Sequence, residues 1–209
     1  EQKPFATSFV DGSRESGSIY LAKNELNLSE GTIAFWWNPR SMHDFNEGSS
    51  HYRLFMIGDL NNFNNYIGIN QYDSTRALRF FVDTGDAETY IYYTFDELGG
   101  MDYYNKWHFV ALSWSHSDNY VIAQYDGQVK KKPYPGSPST LEGDIHFGHR
   151  NNSQQANALF DELLILPYAA TDETIQAWYN SGAPFFDPLE IATAELAARQ
   201  YAEAQAELA

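Results

Sequence analysis

Short runs that read as β-strands, several of them alternating apolar and polar residues, follow one another through the first 170 positions of this 209-residue chain. Glycine, asparagine, aspartate and proline separate them, and no helical pattern intervenes before that point. Parallel strands need long crossover connections, which are usually helical, so this spacing predicts an antiparallel sandwich of two sheets. The predicted strands are Phe5–Val10, Ser18–Ala22, Thr32–Trp37, Arg53–Ile57, Tyr66–Gln71, Ala77–Val82, Thr89–Tyr93, His108–Trp114, Tyr120–Tyr125, Asp144–Phe147 and Leu159–Leu166.

Alternation places Ile33, Phe35 and Trp37 on one face of their strand and Trp36 on the opposite, polar face. It likewise places Leu78, Phe80 and Val82 on the face opposite Arg79 and Phe81.

A short helix, packed on the edge of the sandwich, is predicted after the last strand. Thr171 suits an N-cap because its hydroxyl oxygen accepts from the unpaired N–H groups of a first helical turn. The helix is expected to run to about Tyr179, and Gly182 ends it.

The composition changes abruptly at a second predicted helix, which begins at Asp187. Residues 187–209 hold eight alanines and no glycine, unlike the strand-rich region before them. We therefore expect one domain over residues 1–182. A linker and C-terminal helix over residues 183–209 would then lead to a further region of a longer protein.

The C-terminal helix needs an apolar partner, because a lone helix of about 20 residues is only marginally stable in water. One alternative is a seam between copies of the chain, formed by residues at heptad spacing. The other is docking on its own sandwich through Leu189 and Leu196. Both remain open, and the seam residues are Ile191, Ala194, Ala198, Tyr201 and Leu208.

Charge and composition exclude several classes of partner. The chain has 13 basic and 28 acidic side chains, a net charge of −15 that repels nucleic acid and anionic membranes. Cysteine is absent, which excludes disulfides, thiolate metal sites and cysteine nucleophiles.

No apolar run approaches the roughly 20 residues of a membrane-spanning helix, and the first residues lack the apolar stretch of a signal peptide. We expect a signal to have been removed or the chain to be part of a longer protein.

Three stretches in this order resemble the laminin G-like jelly-roll domains of the concanavalin A-like lectin/glucanase superfamily. They are Gly31–Pro39; Lys106–Trp114 with Tyr125–Gln128; and Phe160–Ile165 with Thr171–Ile175 and Trp178–Tyr179. The resemblance implies a two-sheet jelly roll over residues ~5–180. The opening segment Ala6–Arg14 is also similar to the form of this domain in phage tail and adhesion proteins.

No catalytic residue is expected. The glucanases of the superfamily place carboxylates in an E-x-D-x-x-E-like cluster on one strand face, and no such cluster occurs here. The nearest acidic groups, such as Asp161-Glu162, are typical of strand ends and turns. His146 and His149 approach metal-ligand spacing, but on a strand and turn they need not converge. We therefore predict that the domain is not an enzyme.

Calcium is expected by resemblance, because jelly rolls of this superfamily often hold a structural ion near the N-terminal segment. The resemblance assigns Asp161 and Asp11 as its ligands. Calcium prefers oxygen ligands, and the acidic charge lowers the cost of binding a divalent cation. The alternative for Asp161 is a hydrogen bond to the N-terminal backbone.

Aromatic side chains are the candidates for sugar binding, because ring faces stack on sugar C–H groups while polar neighbours bind hydroxyls. For each one alone, packing in the core is the competing interpretation. Five other aromatic residues are assigned to the core: Phe35, Trp37, Trp107, Trp114 and Trp178. The Asn61–Asn65 and His43–Tyr52 segments could add polar contacts. The candidate ring residues are Trp36, Tyr66, Tyr72, Phe81, Tyr103 and Tyr104.

The resulting hypothesis is a carbohydrate-binding module of a phage tail or bacterial surface protein. Its partners would be a bacterial surface or cell-wall glycan and other domains of the parent protein, and its location extracellular or on the virion surface. The alternative is a structural or protein-interaction module of a tail or surface assembly without its own glycan. Fold alone does not decide between them.

Overall fold

Two antiparallel sheets of six strands each form the protein in a computed structural model. The structure describes residues 7–9, 19–21, 26, 28–40, 51–58, 65–72, 77–138, 141, 145–148, 156 and 158–182, with the backbone alone at 7–9, 19–21, 51 and 72. The strands are β1 (Thr7–Phe9), β2 (Ile19–Leu21), β3 (Glu30–Pro39), β4 (His51–Gly58), β5 (Tyr66–Tyr72), β6 (Ala77–Asp83), β7 (Glu88–Tyr93), β8 (His108–Ser115), β9 (Tyr120–Tyr125), β10 (Gln128–Lys132), β11 (Ile145–Phe147) and β12 (Ala158–Leu166).

The strand order confirms the predicted all-β antiparallel sandwich. Sheet A has the order β1-β12-β3-β8-β9-β10, and sheet B has the order β2-β11-β4-β5-β6-β7. Every strand pair in both sheets is antiparallel. Half of the neighbouring strand pairs join strands that are distant in sequence, so the complete sheets form only when the whole domain folds.

Alternating residues of both sheets build the core. In β3 the side chains of Ile33, Phe35 and Trp37 point between the sheets, as the alternation predicted, and all three are buried. Leu78, Phe80 and Val82 of β6 face them from sheet B. Trp107 and Trp178, expected in this core, are instead half-buried against the outer face of sheet A.

Strand β10 is the one strand that the sequence pattern missed. Its residues Gln128–Lys132 are too polar to indicate a strand. The strand lies at the edge of sheet A, where lysines discourage pairing with other chains. Lys130 and Lys132 also donate to backbone carbonyls of Tyr92 and Tyr90, each at 2.7 Å. These bonds tie the edge of sheet A to β7 at the edge of sheet B.

Helix α1 (Asp172–Ser181) confirms the predicted short helix, but it packs on the outer face of sheet A and not at the edge of the sandwich. The side chain of Thr171 accepts from the backbone N–H of Thr174, and Gly182 ends the helix in the left-handed region. Hydrogen bonds fix the approach to the helix: Thr32 Oγ1 donates to the carbonyl of Tyr168 at 2.8 Å. Ser113 Oγ donates to the carbonyl of Ala170, also at 2.8 Å.

The predicted C-terminal helix and its linker, residues 183–209, lie outside the described residues. In the described part of the chain, no helix combines the length and apolar character needed to cross a bilayer.

Candidate functional site

The outer face of sheet B carries three rows of side chains aligned across its strands. The register of β4, β5, β6 and β7 defines them. The donor row is Arg53, Asn70, Arg79 and Tyr92. The aromatic row, next along the strands, is Met56, Gly68, Phe81 and Tyr90, and the acidic row is Tyr66, Asp83 and Glu88.

Four aromatic rings from these rows form one cluster, which we call the aromatic patch: Tyr66, Phe81, Tyr90 and Tyr92. Ring centroids are 5.1 Å apart for Tyr66 and Phe81, 6.4 Å for Phe81 and Tyr90, and 6.1 Å for Tyr90 and Tyr92. Phe81 is fully buried, whereas Tyr92 is 39% exposed. The patch therefore has a buried base and an accessible rim at β7.

Gly68 is the reason that the ring of Phe81 can lie across β5. A Cβ atom at this position would come within 2.3 Å of the Phe81 ring. Any larger residue would have to push the ring away from the strand, so this glycine determines where the base of the patch lies.

Two guanidinium groups lie over the patch. That of Arg79 is 5.1 Å from the ring centroids of both Phe81 and Tyr90, and that of Arg53 is 5.8 Å from Phe81. Arg79 also donates from Nε to Asn70 Oδ1 at 3.0 Å. These cation–π contacts place positive charge beside the aromatic rings.

The acidic row lies on the other side of the patch, and two tyrosine hydroxyl groups join the two. Tyr90 donates to Glu88, and the hydroxyl of Tyr66 is hydrogen-bonded to Asp83 and to Tyr90. Burial raises the pKa of Asp83 and those of both tyrosine hydroxyls. Asp83 also accepts from the backbone N–H of Gly85 at 2.7 Å, which holds its carboxylate in place.

Three of the predicted sugar-binding residues belong to this face. Tyr66 and Phe81 are members of the patch, although Phe81 is too buried to offer its ring to a ligand. The register places Tyr72 on the same face of β5, between His51 and Ala77, but its side chain is not described. Tyr90, Tyr92 and Arg79 were not among the predicted residues, although the period-2 alternation of β7 and β6 could have indicated their face.

Trp36 lies elsewhere and does not offer a free ring face. It is 9% exposed beneath helix α1, with ring centroids 5.6 Å from Phe109 and 6.4 Å from Tyr179. The sequence indicated correctly that Trp36 is on the outer face of its strand. It did not indicate that the helix covers this face.

Tyr103 and Tyr104 belong to the core between the two sheets and not to the aromatic patch. Tyr103 is 1% exposed, its ring is 4.1 Å from that of Tyr104, and its hydroxyl accepts from Gln71. Its carbonyl is 2.7 Å from Nε2 of His108, whose Nδ1 is 2.6 Å from Asp126. Tyr103 is therefore a packing residue, and its partner Tyr104 is half-buried.

The predicted metal ligands are only partly described. Asp161 Oδ1 accepts from the backbone N–H of Glu162 at 2.9 Å, at the point where the register of β12 shifts. Its carboxylate thus stabilises a β-bulge, and Asp11 lies outside the described residues. Among the described side chains, no three of the metal-ligating types gather at one place. Calcium remains a prediction.

A comparison with protein families identifies the superfamily of the chain. A laminin G family model, described as the concanavalin A-like lectin/glucanases superfamily, matches residues 11–176, well over half of the chain. The chain belongs to this superfamily. The family resemblance seen in the sequence is therefore confirmed. A search of curated proteins found no match to this member of the superfamily.

Solved structures with a similar fold include binding domains of botulinum neurotoxins. The serotype G binding domain has a TM-score of 0.59 at 12% identity, covering 78% of this chain and 39% of its own. The serotype D binding domain has a TM-score of 0.59 at 16% identity, covering 80% and 41%. A serotype D ligand-binding domain in complex with N-acetylneuraminic acid has a TM-score of 0.58 at 15% identity, covering 78% and 39%.

This chain thus spans about two-fifths of the length of those binding domains. At such low identity the likeness is one of fold. The chain has the fold of the concanavalin A-like lectin/glucanase superfamily.

Proposed function

We propose that this domain is a non-catalytic carbohydrate-binding module of a bacterial surface or phage tail protein. It would act outside the cell or on the virion surface, where it attaches the parent protein to a surface or cell-wall glycan. The observation that carries the proposal is the accessible rim of the aromatic patch, formed by Tyr90 and Tyr92 of β7.

The rim combines the two features of a sugar site on a surface. Tyrosine rings offer apolar faces to the C–H groups of a pyranose, at a low entropic cost because they have few rotatable bonds. Polar side chains of both kinds border the rings, with Arg79 on one side and Glu88 on the other. A sugar stacked on the rings would have partners for its hydroxyl groups at both edges.

The position of β7 also suits the role. Its side chains stand on a sheet whose backbone is held at the edge by Lys130 and Lys132. The rings are therefore presented from a rigid element, which limits the entropy lost on binding. The lectin-like fold of the superfamily, and the complex of one similar binding domain with N-acetylneuraminic acid, support a glycan as the ligand class.

A glycan array combined with a cell-wall pull-down tests the proposal. Tyr92→Ala removes a stacking face worth about 1 kcal/mol, so we expect affinity for the bound glycan to fall roughly fivefold to tenfold. Tyr168→Ala is the matched control, because Tyr168 is 54% exposed and lies beside helix α1 on the other sheet. We expect this variant to bind as the wild type does.

Two results would contradict the proposal. Absence of binding to every glycan and wall preparation would favour a protein-interaction module. Equal loss of binding in Tyr92→Ala and Tyr168→Ala, with both variants folded, would place the site away from the patch.

A further inference from the structure

We infer that the glycan bound at the rim of the aromatic patch is a linear polysaccharide, held by an internal segment of its chain that runs parallel to β7. The inference rests on the proposed function, because it names the class of glycan that the same site would bind. It follows from the shape of the accessible surface, which is long in the direction of the strand, narrow across it and open at both ends.

The accessible surface follows the edge strand β7 along its length. Glu88, Tyr90 and Tyr92 alternate onto the outer face of this strand, and each of them is exposed or half-buried. We call these three side chains the β7 strip. Four residues separate its first member from its last, which corresponds to about 13 Å along a strand. A pyranose ring is shorter than this distance, so more than one sugar unit can lie on the strip.

The strip is narrow because the strands beside β7 offer little accessible surface. On the outer face of the neighbouring strand β6, Phe81 is fully buried, and Asn70 of β5 and Met56 of β4 are also 0% exposed. On its other side, β7 is the last strand of sheet B. A ligand on the strip can therefore extend along the strand and not across the sheet.

The hairpin before β7 leaves the first end of the strip open, because it is tied to the side of the opposite sheet. Asp86 in this hairpin accepts from the backbone N–H of Ser137, which lies 3.4 and 3.3 Å from its two carboxylate oxygens. Thr89, at the start of β7, donates from Oγ1 to the carbonyl of Pro133 at 3.0 Å. Both partners belong to the segment that follows β10 of sheet A. The hairpin therefore leans toward sheet A and away from the outer face of sheet B.

The turn after β7 is likewise directed away from the outer face of sheet B. Leu98 of this turn lies in the core between the sheets, and Glu97 pairs with Lys130 of β10 at 2.6 Å. Thr94, which directly follows the strand, is exposed. A sugar chain on the strip can thus continue past both of its ends, whereas a site for a chain terminus needs a wall at one end.

Polar groups beside the strip suit the hydroxyl groups of successive sugars. An ammonium group has three N–H donors, and Lys132 uses one of them on the carbonyl of Tyr90 at 2.7 Å. Its side chain is exposed, and the part of the chain that the structure describes leaves the other two donors to solvent or to a ligand. Glu88 offers carboxylate acceptors at one end of the strip. These groups lie in line with the rings and fit a neutral chain.

Oligosaccharides of increasing length test the inference by titration calorimetry. The probes are cello- and chito-oligosaccharides of two, four and six units, together with glycan strands released from bacterial cell walls by an amidase. In the series that binds, affinity should rise roughly fivefold to tenfold from two units to four, because the longer chain gains one more ring contact. Capping both ends of the six-unit probe with methyl groups should leave its affinity unchanged, since neither terminus is recognised.

Bulky groups attached at the two ends of the strip locate the chain. Because the protein has no cysteine, a single introduced cysteine can be labelled with a maleimide-linked polymer. Labels on Glu88→Cys and on Thr94→Cys should each weaken binding of the six-unit probe at least tenfold relative to the unlabelled variant. The matched control is a label on Lys131→Cys, because the Lys131 ammonium lies on the outer face of sheet A, 4.3 Å from the ring centroid of Tyr120. That label should leave binding unchanged.

The outcomes separate this inference from the proposed function. Equal affinity for two and six units, or loss of binding when the ends are capped, overturns the internal chain and leaves the carbohydrate-binding module standing. A label at either end that spares the six-unit probe overturns the direction of the chain along β7. Binding of other glycans on the array but of none of these linear probes also overturns the inference, whereas no glycan binding at all overturns the proposed function as well.

Discussion

Lys130 Nζ lies 2.6 Å from Glu97 Oε1, and this ion pair links edge strand β10 to the turn that follows β7. The same ammonium group lies 4.4 Å from the ring centroid of Tyr93. Glu97 also accepts from the backbone N–H of Thr94 at 2.7 Å. The hydrogen bond from Lys130 is the main cause that lowers the pKa of Glu97 from its ordinary 4.5 to about 2.

This pair predicts an acid-sensitive contribution to stability. Because the pKa of Glu97 is lower in the folded state, the pair stabilises the fold above pH 4.5, and the gain is lost as pH falls toward 2. Both side chains are about one-third exposed, so solvent limits the gain to no more than about 1 kcal/mol. We expect Glu97→Gln to lower the melting temperature at pH 7 and to melt like the wild type at pH 2. An undiminished difference at pH 2 would show that the pair is not the cause.

Gly68 gives a prediction that separates binding from stability. A Cβ at Gly68 would come within 2.3 Å of the Phe81 ring, and one at Gly31 within 2.4 Å of the Trp114 ring. Overpacking of this kind costs about 1–3 kcal/mol, so both Gly68→Ala and Gly31→Ala should melt at lower temperature. Only Gly68→Ala should also weaken glycan binding on the array, because only it displaces the base of the aromatic patch. Equal glycan binding by the two folded variants would show that the position of the Phe81 ring does not affect the binding site.

Gly127 makes the hairpin between β9 and β10 depend on helix α1. Its φ is +81°, and a Cβ there would meet the ring of Tyr179 at 2.7 Å. Gly99 has a similar φ of +96° with open space around it. We expect Gly99→Ala to cost about 1 kcal/mol for the backbone alone, and Gly127→Ala to cost more because the ring must move. Urea unfolding of the two variants measures the difference, which should vanish when Tyr179 is replaced by alanine.

Calcium binding through Asp161 and Asp11 remains to be tested by ion removal. An ion that binds only the folded state stabilises it by about 2.7 kcal/mol at a hundredfold excess over its Kd. A chelator should then lower the melting temperature by several degrees, and Asp161→Ala should remove that response. Because Asp161 also stabilises the bulge at Glu162, the variant will melt lower in any case. The informative quantity is therefore the difference with and without chelator, and its absence in the wild type would argue against the ion.

The sequence correctly predicted the strands in which apolar and polar residues alternate clearly. It also predicted helix α1, because residues that commonly cap helices stand at both of its ends. The inward-facing residues of β3 and β6, and the limits of helix α1 at Thr171 and Gly182, lie where the pattern placed them. Strand β10 was missed because its lysines contribute no apolar face. Its strand conformation comes from pairing with β9 and from the bonds of Lys130 and Lys132 to the other sheet.

The candidate site shows the limit of the same reasoning. Alternation tells which face of a strand a ring occupies, and it correctly assigned Trp36 and Phe81 to outer faces. It does not tell what covers that face: helix α1 buries Trp36, while Tyr92 remains exposed on the other sheet. Exposure of a side chain depends on elements far away in the chain, which a local pattern does not contain.

The sequence by itself determined the fold class, the family and the absence of cysteine chemistry, because these depend on periodicity, motif order and composition. Only the tertiary structure decided which aromatic residues meet. Arg53, Arg79 and Tyr90 come from three strands, and their contact with Phe81 depends on the register of β4 through β7. Register is set by the packing of whole sheets against each other, since a shift of one residue would turn every one of these side chains to the opposite face.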